Sequence, residues 1–302
     1  MDLRWAHQIF RGKLRLNDWL KSPRFDGFVR FAEVDLARWP GAQPIRLGQG
    51  EIHFRGNGTD LMTLNAEAKV RISPLMIYDL AADSLQLRGH IQKGVAAIDT
   101  MTLAMNGISI SAAGNYDIKN ERLDGHLKAV MAGFNLVHSR VAVPVGIEDG
   151  LLLAQVKGAL LHPQIVAELK GRGVMVDSMV VEQIQATANG EWTNGGLVMN
   201  MQGRLDQLQY DNYRGNEVQI HGRYSTQQVD VAIQSILQDS IRFNLATQIF
   251  TDDTTSIKIS HIALGTEQIG VENPDTIRLR WSGSTLCVDH FDLSQRQQPD
   301  SK

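Results

Sequence analysis

The side chains able to do chemistry are scattered. Nine histidines (His7, His53, His90, His126, His138, His162, His221, His261 and His290) are spread along 302 residues, and no two stand at i, i+2 or i, i+4. Those spacings are what put two ligands on one face of a strand or helix. The pattern therefore reads as solvated histidines, not as a metal site. Asp252-Asp253, followed by Thr254-Thr255-Ser256, could open a calcium loop. The further carboxylates of such a loop are missing, which leaves turn chemistry. Cys287 stands near Asp289 and His290, residue types that could make a nucleophile and its base. Alternation puts Cys287 and Asp289 on one strand face and His290 on the other, so Cys287 is expected to pack rather than react. It is the only cysteine, so no disulfide forms within the chain and no cysteine-type zinc site is possible. The glycine-rich phosphate loops, HExxH and GxSxG do not occur. The expectation is a protein that is not an enzyme, with no metal and no cofactor.

The elements that carry these residues are strands. Apolar and polar residues alternate from end to end: Ile52 and Phe54 against Glu51, His53 and Arg55, Leu85 and Leu87 against Gln86 and Arg88, and later Val229, Val231 and Ile233. About 18–24 strands of ordinary length are expected. Turn residues separate them at intervals of roughly 8–14 residues, the spacing of an up-and-down antiparallel meander. They include Gly56-Asn57-Gly58, Asn106-Gly107, Lys119-Asn120, Asn194-Gly195-Gly196 and Asn273-Pro274. No βαβ rhythm is present. Residues 73–80 carry the one helical signal, with Ser73 as a cap and Pro74 at the first helical position, and read equally as an apolar strand. NGISISAAGNYD at 106–117 and NEVQIHGRYS at 216–225 both run from an alternating strand into Gly-X-Tyr, and EIHFRGNG at 51–58 is a weaker copy. Such a drifting repeat points to stacked β units.

Composition narrows the class. Hydrophobic residues make up 43% and charged residues 21%, which excludes a disordered chain. Aromatics are only 6%, lean for a large globular β core. A net charge of −3 argues against a nucleic-acid binder. The basic scatter over residues 1–30 (Arg4, Arg11, Lys13, Arg15, Lys21, Arg24, Arg30) reads as a solvated face. There is no signal-peptide core, and no run of about 18 apolar residues that would span a membrane.

What remains is an apolar stripe. In residues 108–130, ISISAAGNYDIKNERLDGHLKAV, one face takes Ile108, Ile110, Leu123 and Leu127. The other takes Ser109, Ser111, Asp124 and Lys128, with Gly114 and Tyr116 read as bend and rim. The apolar face is either the inside of a β-sandwich or the lining of an open groove. Met101, Met105, Met131, Met199 and Met201 stand at stripe positions, and methionine suits both roles.

The segment 146–164, GIEDGLLLAQVKGALLHPQ, resembles a signature of the TamB family: an apolar strand with small residues, then Gly, a short linker and Pro, followed by an alternating strand, here IVAELKG at 165–171. GNYDIKNERLDGHLKA at 114–129 is similar to its recurring hairpin element, and Ile262-Ala263-Leu264, Asn273-Pro274 and residues 277–281 match its layout in outline. The resemblance covers roughly residues 10–295 and places the chain among AsmA-like bridge proteins of lipid transfer. It implies an all-β fold, an elongated curled antiparallel sheet (a β-taco) of stacked strands with a hydrophobic interior. Residues 1–295 would form a single segment of it and 296–302 a polar tail. It implies a periplasmic protein of the Gram-negative envelope, anchored in the inner membrane in full-length relatives. Such a protein carries phospholipid between inner and outer membranes and supports outer-membrane protein assembly and secretion as part of a translocation and assembly module. The partners implied are phospholipid acyl chains and an Omp85-class outer-membrane barrel, with no nucleic acid. The chain has no anchor and is far shorter than family members, so an internal or C-proximal fragment is expected. The implied groove lining is Leu103, Met105, Ile108, Ile110, Leu123 and Leu127, then Leu197, Met199, Met201, Ile241, Phe243 and Leu245, and finally Ile257, Ile259, Ile277, Leu279 and Trp281. The alternative is a structural β scaffold that binds proteins along an edge strand, without lipid transport.

Overall fold

A computed structural model describes residues 2–5, 8–18, 23–36, 45–77, 80–138, 141–238, 240–251, 255–266, 269–282, 285–289 and 291–297. The fold is all-β: the strands form one antiparallel sheet that does not close into a barrel. The chain divides into two units, residues 1–134 with 151–163, and residues 135–150 with 164–302.

Unit 1 contains β1 (Asp2–Trp5), β2 (Gln8–Asn17), β3 (Arg24–Asp35), β4 (Ile45–Asn57), β5 (Asn65–Ile77), β6 (Leu80–Gln92), β7 (Val95–Met105) and β8 (Ile108–Asp117). The strands β9 (Arg122–His138) and β10 (Val141–Ala159) contribute to both units. Next come β11 (His162–Val176), β12 (Met179–Thr193), β13 (Gly196–Tyr210), β14 (Tyr213–Tyr224), β15 (Gln228–Leu237) and β16 (Ile241–Thr251). The chain closes with β17 (Thr255–Gly265), β18 (Ile269–Glu272), β19 (Ile277–Ser282), β20 (Thr285–Asp289) and β21 (Ser294–Gln297). These 21 strands among the described residues fall within the expected number, but β9 and β10 reach 17 and 19 residues, well beyond ordinary strand length. Residues 73–77 belong to β5, so the helical reading of that segment is replaced by the strand. Asp252-Asp253 lies outside the described residues.

Each unit carries a column of extra residues running across its strands. In unit 1 the β3–β4 pairing is interrupted between Ala32↔Gln49 and Val34↔Leu47, leaving Glu33 and Gly48 out of it without a change of register. The pairing likewise passes over Gly48 and Pro74 between β4 and β5, and over Ser73-Pro74 and Asp83-Ser84 between β5 and β6. Ser73 hydroxyl donates to the Asp83 carbonyl at 2.7 Å, closing that gap. An extra residue shifts the period-2 alternation by one, so residues three apart both face the apolar side. Phe31 and Val34, Ile72 and Leu75, and Ala82 and Leu85 are such pairs, and they make the unit 1 core together with Phe10, Leu47 and Met105. In unit 2 the same device passes over Gly173 and Glu182, then Glu182 and Gln207, then Asp206-Gln207 and Asn216-Glu217. Val181 and Ile184, and Leu205 and Leu208, are the resulting pairs, packed with Val174 and Val218. The columns hold non-glycine residues at positive φ: Glu33 at 55°, Gln207 at 54° and Glu217 at 53°.

Unit 2 ends in a fork. Ile259, Ile257 and Thr255 of β17 pair with β19, whereas Ala263, Leu264 and Gly265 of the same strand pair with β18. The buried Asn273 fills the crotch. Its Oδ1 accepts from Ile262 N–H at 2.6 Å, its Nδ2 donates to the carbonyls of Asp275 at 2.7 Å and Ile259 at 3.5 Å, and its own N–H donates to Ile262 O at 3.1 Å. The Asn273-Pro274 turn is thus a junction with a side chain built into it.

Candidate functional site

Cross-strand register decides which side chains share a face. In unit 1 one row runs Phe31, Gly50, Ile72, Leu85, Leu103, Ile110 and Ala129 across seven strands. The next runs Leu75, Ala82, Met105, Ile108 and Met131. Leu127 faces Ala112 and Leu123 faces Tyr116 on the same side. All six unit 1 positions named from the sequence therefore lie on one apolar face, each half-buried. Glycines in these rows make room for rings. A Cβ on Gly50 would sit 2.1 Å from Phe31 Cζ, and one on Gly27 would sit 2.8 Å from Phe54 Cζ. Gly114 is not a bend. It lies mid-strand opposite Gly125, whose Cα would be 2.8 Å from a Cβ there, so glycine is required by close backbone approach.

In unit 2 the rows are Ala188, Met201, Gly222, Val231, Thr247, Ile259 and Ile277, and then Gly190, Met199, Tyr224, Val229, Ile249, Ile257, Leu279 and Val288. Leu245 joins Ile233 and Ile262, Phe243 joins Ser235 and Leu264, Ile241 faces Leu237, and Leu197 faces Trp192. All these positions share one face. Ile277 is buried to 2% exposure beside the fork, and the other lining positions are half-buried. The backbone of Trp281 keeps this register opposite Thr255 and Leu286, while its side chain lies outside the described residues. Toward the last strands the apolar face opens, with Ile269 at 56% and Val288 at 50% exposure.

Only eleven hydrophobic residues among those described are fully buried, and most flank the columns of extra residues. The chain exposes 20572 Å². One compact globule of 33.5 kDa would expose about 12,700 Å², and two of half that mass about 15,300 Å².

The polar faces differ in charge. Over residues 9–17, 24–32, 49–57, 65–73 and 84–92, unit 1 presents nine Lys or Arg against three carboxylates. The cations are Arg11, Lys13 and Arg15 on β2, Arg24 and Arg30 on β3, Arg55 on β4, Lys69 and Arg71 on β5, and Arg88 on β6. The basic scatter of the N-terminal residues is thus part of a wider face assembled across five strands. Arg30 is matched with Glu51 at 3.0 Å, Arg55 with Glu67 at 2.5 Å, and Arg88 with Asp99 at 3.7 Å. His53 Nε2 lies 2.7 Å from Glu51, and this bond, then that from Arg30, holds the Glu51 carboxyl below the usual carboxylate range. The equivalent unit 2 stretches, 164–172, 183–191, 198–206, 216–224 and 228–236, carry four cations and five carboxylates. There Arg204 bridges Asp206 and Glu217, and the Asp206 hydrogen bond chiefly raises its pKa.

Among the described residues no catalytic combination assembles. Cys287 is exposed on the polar face opposite Arg280, not packed, because β20 places its neighbour Val288 on the apolar side instead. Asp289 pairs with Arg280 at 3.0 Å, and His290 lies outside the described residues. No cluster of three metal-ligating side chains occurs among the described residues, and no described helix is long and apolar enough to cross a membrane. No family model, curated protein or solved structure matches the chain.

Proposed function

We propose that the chain is a segment of a TamB-like periplasmic bridge, whose apolar face carries phospholipid acyl chains between the inner and outer membranes. The observation that carries this reading is the half-burial of apolar side chains that share a row, Leu103 and Ile110 in unit 1 and Ile257 and Leu279 in unit 2. A packed core would cover them. In this reading the native twist of the sheet curls the apolar rows into a trough. An acyl chain lying there gains about 0.8 kcal/mol per methylene removed from water. The head group stays in water at the open seam, so no charged pocket has to enclose it. Support for protein assembly and secretion through an Omp85-class barrel belongs to the same proposal, resting on the family resemblance alone.

The test is lipid mass spectrometry of the purified chain, with photocrosslinking of acyl probes to Ile110→Glu and Leu103→Glu. Phospholipid in near-stoichiometric ratio is expected, with crosslinking lost in the folded variants. A lipid-free protein with unchanged crosslinking would leave the edge-binding scaffold as the function.

A further inference from the structure

We infer that the polar face of unit 1 docks on an anionic lipid bilayer, a contact separate from the acyl-binding face proposed above. Nine cations against four carboxylates, Asp99 beside Arg88 included, gather on this face in a chain whose net charge is −3. Lys13, Arg15, Arg24, Lys69 and Arg71 are exposed and hold no ion pair among the described residues. Lys69, which holds no ion pair among the described residues, stands directly opposite a second cation, Arg88. At the centre of the array a depression of about 390 Å³ is lined by Asp26, His53, Arg55, Glu67, Lys69 and Arg71, among others.

The geometry favours a bilayer over a nucleic acid. The cations spread over five strands about 4.8 Å apart, an area roughly 19 Å across, whereas a single nucleic-acid strand offers a line of phosphates. Base recognition also wants an open aromatic ring. Phe28, on this face, is covered: His53 stacks on it at 5.9 Å and the Arg30 guanidinium lies 5.3 Å from its centre. A surface carrying many phosphate head groups answers the whole array at once, with each cation near an anionic membrane worth about fivefold in partitioning.

Vesicle flotation tests this. The full chain is mixed with phosphatidylglycerol–phosphatidylcholine vesicles or with pure phosphatidylcholine vesicles, at low and at high salt. The expected result is binding to the anionic vesicles only, released by salt. Lys13→Gln/Lys69→Gln/Arg71→Gln should weaken binding on the order of a hundredfold, and Lys170→Gln/Arg172→Gln/Arg223→Gln on unit 2 should leave it within about twofold. Equal binding to neutral vesicles, no release by salt, or equal loss in both triple variants would overturn the inference. Tighter binding of single-stranded DNA than of anionic vesicles, with the same sensitivity to the unit 1 variant, would overturn it in favour of a nucleic acid. Should the unit 1 variant fail to fold, the salt response and the neutral-vesicle comparison of the unaltered chain still decide. Lipid retained by the apolar face is read separately by mass spectrometry: Ile110→Glu should lose it and still float.

Discussion

In unit 1 the column of extra residues runs through Glu33, Gly48, Pro74 and Asp83; in unit 2 it runs through Gly173, Glu182, Gln207 and Glu217. Both columns put residues three apart on the apolar side and both use Gly and Glu, but Pro and Asp belong to unit 1 alone and Gln to unit 2. Unit 1 packs rings over glycine, unit 2 packs aliphatic side chains. The turns differ as well. Unit 1 caps turns with carboxylates: Asp60 accepts from the N–H groups of Met62 and Thr63, and Asp117 from those of Lys119 and Asn120. Unit 2 caps them with hydroxyls, Thr193 bonding Gly195 N–H and Gly196 O, and Ser225 bonding Gln228 O. What is common is the placement of one additional residue per strand, and that placement, more than the identity of the core, decides where the core forms.

The largest way to break the parallel is at the feature only unit 2 has. Asn273→Ala strands the N–H of Ile262 and the carbonyls of Ile259 and Asp275 and should cost about 4 kcal/mol. Hydrogen exchange should rise in β17–β19 and stay unchanged in β3–β7. Next, Leu75→Ala, at 4% exposure, should cost about 3 kcal/mol, and Val181→Ala, at 2% exposure, about 2 kcal/mol. Each should raise exchange in its own unit's core, and equal loosening of both cores by either variant would contradict the separation. The glycines sharpen the contrast. Gly50→Ala drives a Cβ into the Phe31 ring and should cost about 2 kcal/mol in a denaturant titration. Gly203→Ala meets nothing closer than 3.7 Å and should be neutral or stabilising by about 0.5 kcal/mol. Ser235, opposite Phe243, is buried with no partner for its hydroxyl, so Ser235→Ala should raise stability by up to about 1 kcal/mol.

The smallest effect separates the turns by pH. Backbone N–H donation from Asn120, then its side chain, lowers the Asp117 pKa in the fold, and the Thr63 hydroxyl bond does the same for Asp60. A lowered folded pKa gives a contribution present above the ordinary carboxylate value and lost as pH falls through the folded value. Acidification through that range should therefore lower the protection factors of the Asn120 and Thr63 amides, taken relative to the intrinsic exchange rate at each pH, and leave that of Gly195 unchanged.

The strands and most turns were legible because alternation and Gly/Asn punctuation are local signals. The columns were not. Ile72-Ser73-Pro74-Leu75 places two apolar residues three apart, which in isolation is helix spacing, and only the matching gaps in β4 and β6 reveal an extra residue in a strand. The basic face was legible only as far as residue 30, since Lys69 and Arg88 join it through pairings far apart in the chain. Period 2 survives between the columns, which is why alternation alone groups the described apolar positions on one face. The covered Phe28 and the Gly–Phe contacts depend on cross-strand register, which the sequence leaves open.

The fork has a mechanical consequence. Tension entering at the C-terminal end passes from β21 to β18 through four residue pairs and from β18 to β17 through three. The limb made by β19 and β20 grips β17 elsewhere, at Thr255 to Ile259. One limb can peel away under load while the other stays zipped, with the amide of Asn273 as the shear pin between them.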